Sequence, residues 1–141
     1  MAKPKNRSQL MDYFGAIQKN HVWSWCGINE DNKSIYFSVW TDFKNGLGKR
    51  DRDYYIIQEP HWGVNVETGA FSAARNDHDE KLSKSFNEGY LSYGYFVEAK
   101  NTTVVPREIA NTKTSFVFSL ELERLDDGSI IGYPIKRLEI K

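Results

Sequence analysis

The 141-residue chain lacks a cysteine pair, a long hydrophobic run and an excess of charge of either sign. Its single cysteine, Cys26, excludes an internal disulfide bond and favours a cytoplasmic location. No apolar run approaches the ~20 residues that a transmembrane helix requires, so no membrane association is expected. The basic start, MAKPKNRSQ, is not followed by the apolar stretch of a secretory signal.

Charge is balanced, with 19 lysines and arginines against 19 aspartates and glutamates. A formal net charge of zero argues against nucleic-acid binding through bulk positive charge, but it leaves room for local patches. The largest such patch is the loop FKNGLGKRDRD, which we call the basic loop. It holds four cations, Lys44, Lys49, Arg50 and Arg52.

Several common chemical signatures are also missing. The chain contains no Gly-rich phosphate-binding loop, no His-x-x-x-His pair and no Cys pair. His21, His61 and His78 are far apart in the sequence and lack the spacing of metal ligands. The sequence therefore predicts no metal site, no cofactor and no catalytic residue.

Aromatic residues, by contrast, are abundant at 14% of the chain, and three of the four tryptophans lie within residues 21–42. The segments HVWSWCGI and SIYFSVWTD each alternate with a period of two around the turn formers NEDNK, which predicts a β-hairpin. One face of this hairpin is aliphatic and predicts a core contact. The other face carries three of the four tryptophans, Trp23, Trp25 and Trp40, together with Tyr36 and, at its edge, Asp42.

The remaining periodicities predict two helices and at least four further strands. The helices are expected at about residues 8–20 and 77–88, with Asn76 or Asp77 as the cap of the second. Strands are expected at about residues 54–58, 90–101, 114–125 and 129–140. A length of 141 residues is typical of one domain, which we place at residues 8–141 after a flexible basic arm at residues 1–7. The fold class expected is α+β, mainly β: a small, curved antiparallel sheet or barrel with two flanking helices.

The clearest strand lies within residues 114–125, where Phe116, Phe118, Leu120 and Leu122 alternate with Val117, Ser119, Glu121 and Glu123. Phe116, Phe118, Leu120 and Leu122 are expected to point inward, and Glu121 and Glu123 outward.

Six short segments of the chain resemble a bacterial DNA-reading domain. They are WSWCGI, IYFSVWTD, NEGY, YGYFVEAKN, VPREI and SFVFSLELERLDDG, and they span about Trp23 to Tyr133. The domain is the one joined to HNH nuclease domains in modification-dependent restriction endonucleases. The resemblance implies a fold like that of the PUA superfamily, which includes the SRA, EVE and YTH readers and takes up a modified base in an aromatic pocket. Because this sequence has no HNH motif, the resemblance places any nuclease on a partner subunit or another domain.

The residues themselves favour the same kind of function. Flat aromatic walls hold a base that has been flipped out of the stack, so Trp23, Trp25, Trp40 and Trp62 are candidate walls, although about two of these rings are expected to be core. Asp42 or Asn76 would contact the edge of the base. The four cations of the basic loop would contact phosphates, which position a protein without reading sequence. We therefore expect a module that binds nucleic acid, and the resemblance implies that it reads modified DNA in a restriction or defence setting.

Two alternatives belong to other classes. Glu98-Ala99-Lys100 on a predicted strand, with Asp77 or Asp79 upstream, has the residue types of a metal-dependent nuclease, in which carboxylates hold Mg²⁺ and a lysine steadies the attacking water. The second alternative is an RNA-binding or protein-interaction domain, which would use the same aromatic face without a flipped DNA base.

Overall fold

The structure is a computed structural model that describes residues 3–20, 24–103 and 107–140. Within these ranges it contains two α-helices and seven strands that belong to one sheet. In chain order the elements are α1 (Arg7–Tyr13), β1 (Cys26–Asn29), β2 (Ser34–Trp40), β3 (Tyr55–Gln58), α2 (Ala73–Asn87), β4 (Leu91–Ala99), β5 (Ile109–Thr112), β6 (Phe116–Arg124) and β7 (Ile130–Glu139). The predicted α+β class, dominated by strands, is confirmed.

The sheet is open rather than closed into a barrel. Its strand order is β1-β2-β4-β6-β7-β3, and β5 adds to β4 beside this path. Most neighbours are antiparallel, as the hairpins predicted, but β2 and β4 run parallel from the pair Ser34–Leu91 to the pair Trp40–Val97. A parallel pair needs a long crossover connection, which here contains β3 and α2.

The predicted hairpin is present as β1 and β2, in the register that joins Cys26 to Phe37. Its turn is closed by Asn29, whose side-chain oxygen accepts hydrogen bonds from the backbone N–H groups of Asp31 and Asn32 at 3.0 and 3.2 Å. Such a side-chain bond imitates a backbone turn. The first residues of the predicted arm, His21, Val22 and Trp23, lie outside the described residues.

Both faces of the hairpin are buried, which the alternation alone did not predict. The inner cluster unites the hairpin, both edges of the sheet and α2, so the sheet must curve around it: Cys26, Ile28, Ile35, Phe37, Val39, Ile57, Leu82, Phe118, Leu120 and Ile130. The outer cluster is covered by α1: Leu10, Met11, Ala16, Tyr36, Tyr95, Val97, Val117 and Ile140. The middle of the predicted aromatic face is therefore core, because Tyr36 stacks between Phe14 and Tyr93.

Both helices differ from their predicted bounds, for local reasons. Helix α1 ends at Tyr13 rather than near residue 20, and Gly15 then takes a φ of 63°, which favours glycine and stops the helix. Helix α2 begins at Ala73 because the Ser72 hydroxyl accepts from the backbone N–H of Arg75 at 3.1 Å. Asn76 and Asp77, the predicted caps, lie inside the helix instead.

Strand β6 follows the predicted alternation in part. Phe118 and Leu120 are buried, whereas Phe116 and Leu122 are half-buried against the inner cluster. Glu121 is exposed and Glu123 is half-exposed, as expected for the outward positions. Val117, which lies between two of the inward positions, is fully buried in the outer cluster, so this strand has a core on both faces.

Candidate binding cavity

A cavity of about 1300 Å³ opens where β2 ends, and it brings together the candidate tryptophans that the structure describes. Trp25, Trp40 and Trp62 all line it and are all half-buried. Trp23 lies outside the described residues. We call this space the tryptophan cavity; its lining also includes Arg7, Ser38, Phe43, Gln58, His78 and Arg107.

The hairpin register sets the first wall of the cavity. Trp25 immediately precedes β1, and its carbonyl accepts hydrogen bonds from the Ser38 backbone N–H at 3.0 Å and from the Ser38 hydroxyl at 2.9 Å. Trp40 ends β2, two residues after Ser38. The centroids of the two indole rings are consequently 5.6 Å apart, at an interplanar angle of 49°. This neighbouring pair is the cross-strand aromatic contact that the alternation predicted.

A tight loop after β3 supplies another part of the cavity lining. Gly63 has a φ of 70°, and a Cβ there would lie 2.7 Å from the Cβ of Arg75 and 2.9 Å from the Ser72 hydroxyl. Only glycine allows this approach of the loop to α2. Arg75 secures it by donating from one guanidinium nitrogen to the carbonyls of Pro60 and Trp62, at 2.9 and 2.7 Å. Trp62 is thereby fixed at the cavity.

Two arginines lie over the tryptophan rings. The Arg7 guanidinium is 5.3 Å from the Trp25 centroid, and that of Arg107 is 5.0 Å from the Trp40 centroid and 4.4 Å from the Phe43 centroid. These distances are within the range of cation–π attraction. Sequence reasoning missed both arginines, because Arg7 fell in the predicted arm and Arg107 in a loop without periodicity.

The two candidate edge residues lie apart from the cavity lining. Both Asp42 carboxylate oxygens accept hydrogen bonds from Arg107, each at 2.7 Å. These bonds hold the pKa of Asp42 below its usual value, so the carboxylate is already occupied. Asn76 is exposed on α2 and does not line the cavity. Two helical positions separate it from His78, which puts the two side chains on different sides of the helix.

Two cations of the basic loop attach it to β6. Three of its four cations form ion pairs: Lys44 with Asp53 at 3.4 Å, Arg50 with Glu123 at 3.0 Å and Arg52 with Glu121 at 3.1 Å. Lys49 is exposed and has no carboxylate partner in the described part of the chain. The role of the basic loop in phosphate contact remains a prediction. Among its four cations, Lys49 is the one without an ion pair in the described residues.

A polar network lies between the cavity and α2. His78 is 3% exposed, and its Nδ1 is 2.6 Å from the Oε1 of Gln58. Gln58 donates through Nε2 to Asp79 at 2.9 Å, and Arg75 donates through Nε to both Asp79 oxygens at 3.1 Å. Burial lowers the pKa of His78 to about 4. Sequence reasoning set His78 aside as an isolated histidine.

A second buried polar group stabilises the other side of α2. Lys81 donates to Asp77 at 2.7 Å, and the Cys26 thiol donates to the other Asp77 oxygen at 3.7 Å. Burial raises the pKa of Cys26 well above its ordinary value. The thiol is therefore protonated and inert at neutral pH, since the thiolate is the reactive form.

The residues of the nuclease alternative are engaged elsewhere. Glu98 pairs with Lys113 at 3.2 Å and accepts from Asn111 at 3.1 Å, while Lys100 pairs with Glu108 at 3.4 Å. Across residues 3–20, 24–103 and 107–140, no three His, Cys, Asp or Glu side chains are grouped as metal ligands would be.

Comparison with protein-family models, with curated proteins and with solved structures finds no match to this chain. No helix among the described residues is long and apolar enough to cross a membrane.

Proposed function

We propose that this protein is a nucleic-acid-binding module that takes a modified base of DNA into the tryptophan cavity. The observation that carries the proposal is the convergence of Trp25, Trp40 and Trp62, from two separate parts of the chain, on one cavity. All three indole rings line the cavity and are half-buried, and every nucleobase has a face that can stack on an aromatic ring.

The size of the cavity fits such a ligand. Its volume of about 1300 Å³ exceeds the range of ~300–1,000 Å³ that is typical of small-molecule sites. A flipped base brings its sugar and phosphate with it, and a cavity of this size leaves space for all three. Aromatic walls with a few polar groups are what a flipped-base pocket requires.

The lining of the cavity contains two cations, Arg7 and Arg107, and two carboxylates, Glu59 and Glu108. An anionic group of the ligand would be bound by one of these cations rather than by a net positive charge of the cavity. Arg107 is already held by Asp42, so we assign a phosphate that flanks the base to Arg7, whose guanidinium lies against the Trp25 ring. The exposed Lys49 of the basic loop would add a contact outside the cavity. Phosphate contacts of this kind set affinity and position, and the cavity would set specificity.

The setting that we propose follows from the resemblance of the sequence. A reader domain of a modification-dependent restriction system acts together with a nuclease, which would be a partner subunit or another domain. Such a system works on DNA in the cytoplasm, in keeping with a single buried cysteine. No cleavage by these residues alone is proposed.

The test is a binding panel with DNA duplexes that carry one central base: cytosine, 5-methylcytosine, 5-hydroxymethylcytosine, adenine or N6-methyladenine. Single-stranded DNA and RNA of the same sequence complete the panel. We expect one modified duplex to bind at least tenfold more tightly than its unmodified counterpart, and Trp62→Ala to remove that difference. Equal binding of all duplexes, or preferential binding of the RNA strand, would contradict the proposal.

A further inference from the structure

The hydrogen bonds around Gln58 fix the direction of its amide. Asp79 is a carboxylate held by the guanidinium of Arg75, so it accepts only. The Gln58 group that lies 2.9 Å from Asp79 must therefore be the NH₂ group. The carbonyl oxygen of the same amide then faces His78, at 2.6 Å from Nδ1.

This arrangement fixes the tautomer of His78. A carbonyl oxygen cannot donate, so Nδ1 carries the proton and donates it to Gln58. Burial of the ring lowers its pKa to about 4, so the imidazole is neutral at neutral pH and Nε2 has no proton. Within the described residues, Nε2 accepts no hydrogen bond. A ring that is 97% buried thus offers an unused acceptor at the cavity that it lines.

A second polar side chain in the cavity lining also offers an acceptor and no donor. The Ser38 hydroxyl, which also lines the cavity, has already given its proton to the carbonyl of Trp25 at 2.9 Å. Its oxygen can only accept from a ligand. His78 and Ser38 therefore both present neutral acceptors in the lining of the cavity.

We propose that His78 Nε2 selects the bound base by accepting a hydrogen bond from an N–H or O–H group on its edge. The proposal rests on the proposed function and names the class of ligand for that site: a base that carries an amino, imino or hydroxyl donor. Gln58, Asp79 and Arg75 are positioning residues that act through His78. A base of the same shape without the donor leaves Nε2 buried and unpaired, which is costly in a dry site.

The test uses matched duplexes whose central bases differ by one donor: adenine and purine, cytosine and pyrimidin-2-one, and 5-hydroxymethylcytosine and 5-methylcytosine. We expect the wild-type protein to prefer the donor-bearing member of at least one pair by about tenfold to hundredfold. In His78→Asn, the side-chain amide can still donate to Gln58, but it has no group at the position of Nε2. We expect that variant to remain folded and to bind both members of the pair within about twofold.

Two further measurements separate the outcomes. In His78→Gln the amide reaches the position of Nε2 and can present its oxygen, so part of the preference should return. The ¹⁵N chemical shifts of the wild-type imidazole should show a protonated Nδ1 and an unprotonated Nε2. An unprotonated Nδ1, or a preference that His78→Asn retains in full, overturns the role of His78 and leaves the proposed function standing. A wild-type protein that binds no nucleic acid overturns both.

Discussion

The Arg107 guanidinium donates two hydrogen bonds of 2.7 Å to the Asp42 carboxylate while it lies against the rings of Trp40 and Phe43. A planar, bidentate arginine of this kind defines the orientation of its partner more closely than a lysine could. The pair joins the segment after β2 to the segment before β5. It therefore holds in place the part of the cavity lining that Arg107 and Trp40 form.

The Asp42–Arg107 pair should make stability depend on acid. The folded-state pKa of Asp42 is lowered by the bonds from Arg107, so its contribution is present at neutral pH and is lost as the pH falls below about 4. We expect Asp42→Asn to lower the free energy of unfolding by about 1 kcal/mol at pH 7, since the carboxylate is one-third exposed. Urea unfolding at pH 7 and pH 3 measures this, and a difference that persists undiminished at pH 3 would contradict it.

Substituting a tryptophan that lines the cavity and substituting a core aromatic residue should have different effects on binding and on stability. Trp25→Ala should weaken binding of the preferred duplex by ~1–3 kcal/mol, because base stacking on an aromatic ring contributes that much. Tyr36→Ala is the matched control, since Tyr36 is 4% exposed and stacked on both sides. It should lower the stability of the fold by ~3–5 kcal/mol. Melting and binding are measured on the same samples; unchanged binding by folded Trp25→Ala would remove this ring from the site.

Because of His78, the protein should become less stable as the pH falls from 6.5 to 4. Its folded pKa is about 4, so in that window the unfolded chain binds more protons and the free energy of unfolding rises with pH. Among the charged groups around the ring, Asp79 and Asp77 favour the protonated imidazole, and Arg75 and Lys81 oppose it. The change should be about 3 kcal/mol over the window. It should disappear in His78→Asn, and a wild-type stability that is flat across the window would mean that the ring is not buried as a neutral group.

The salt dependence of DNA binding should show whether the basic loop contacts phosphates. If Lys49 contacts a phosphate, Lys49→Gln should flatten the slope of log K against log salt by about one, equally for all sequences. Glu121→Gln should strengthen binding, because it releases Arg52 from its ion pair. Lys33→Gln is the control, as Lys33 lies in the turn at the other end of the hairpin from Trp25 and Trp40. Equal slopes for Lys49→Gln and Lys33→Gln would show that the loop is only solvated.

The nuclease alternative has its own measurement. Glu98 is held by Lys113 and Asn111 on the sheet, and these contacts also lower the pKa of Glu98. We expect Glu98→Ala to leave DNA binding within about twofold, and the wild-type protein to show no Mg²⁺-dependent cleavage of the bound duplex. Cleavage that depends on Glu98 would replace the reader function by a catalytic one.

The local parts of this fold could be predicted from the sequence, because a period of two specifies a strand wherever it occurs. The hairpin and the strands β3, β4, β6 and β7 all fall within the predicted segments. The helix ends were misplaced where one residue decided them, at Gly15 and at Ser72. The four-residue strand β5 was missed, since four residues in a polar segment give too short a pattern to recognise.

What the sequence could not provide was the pairing of distant segments. Alternation indicates that β2 has two faces, but nothing in it shows that α1 covers one face and that β4 runs parallel beside it. The same limit applies to the candidate site. Trp25, Trp40 and Trp62 were named by residue type, whereas Arg7, His78 and Arg107 reach the cavity only through the tertiary fold.

The parallel pair of β2 and β4 also determines when the cavity can form during folding. Ser34 pairs with Leu91, so the chain between β2 and β4, which contains β3 and α2, must become compact before the two strands can pair. Such non-local pairings carry a loop-closure cost and slow the folding rate. The strands of the β1–β2 hairpin are adjacent in the sequence, so this hairpin can form early. The cavity, which also needs Trp62, His78 and Arg107, is therefore expected to be among the last parts of the protein to be completed.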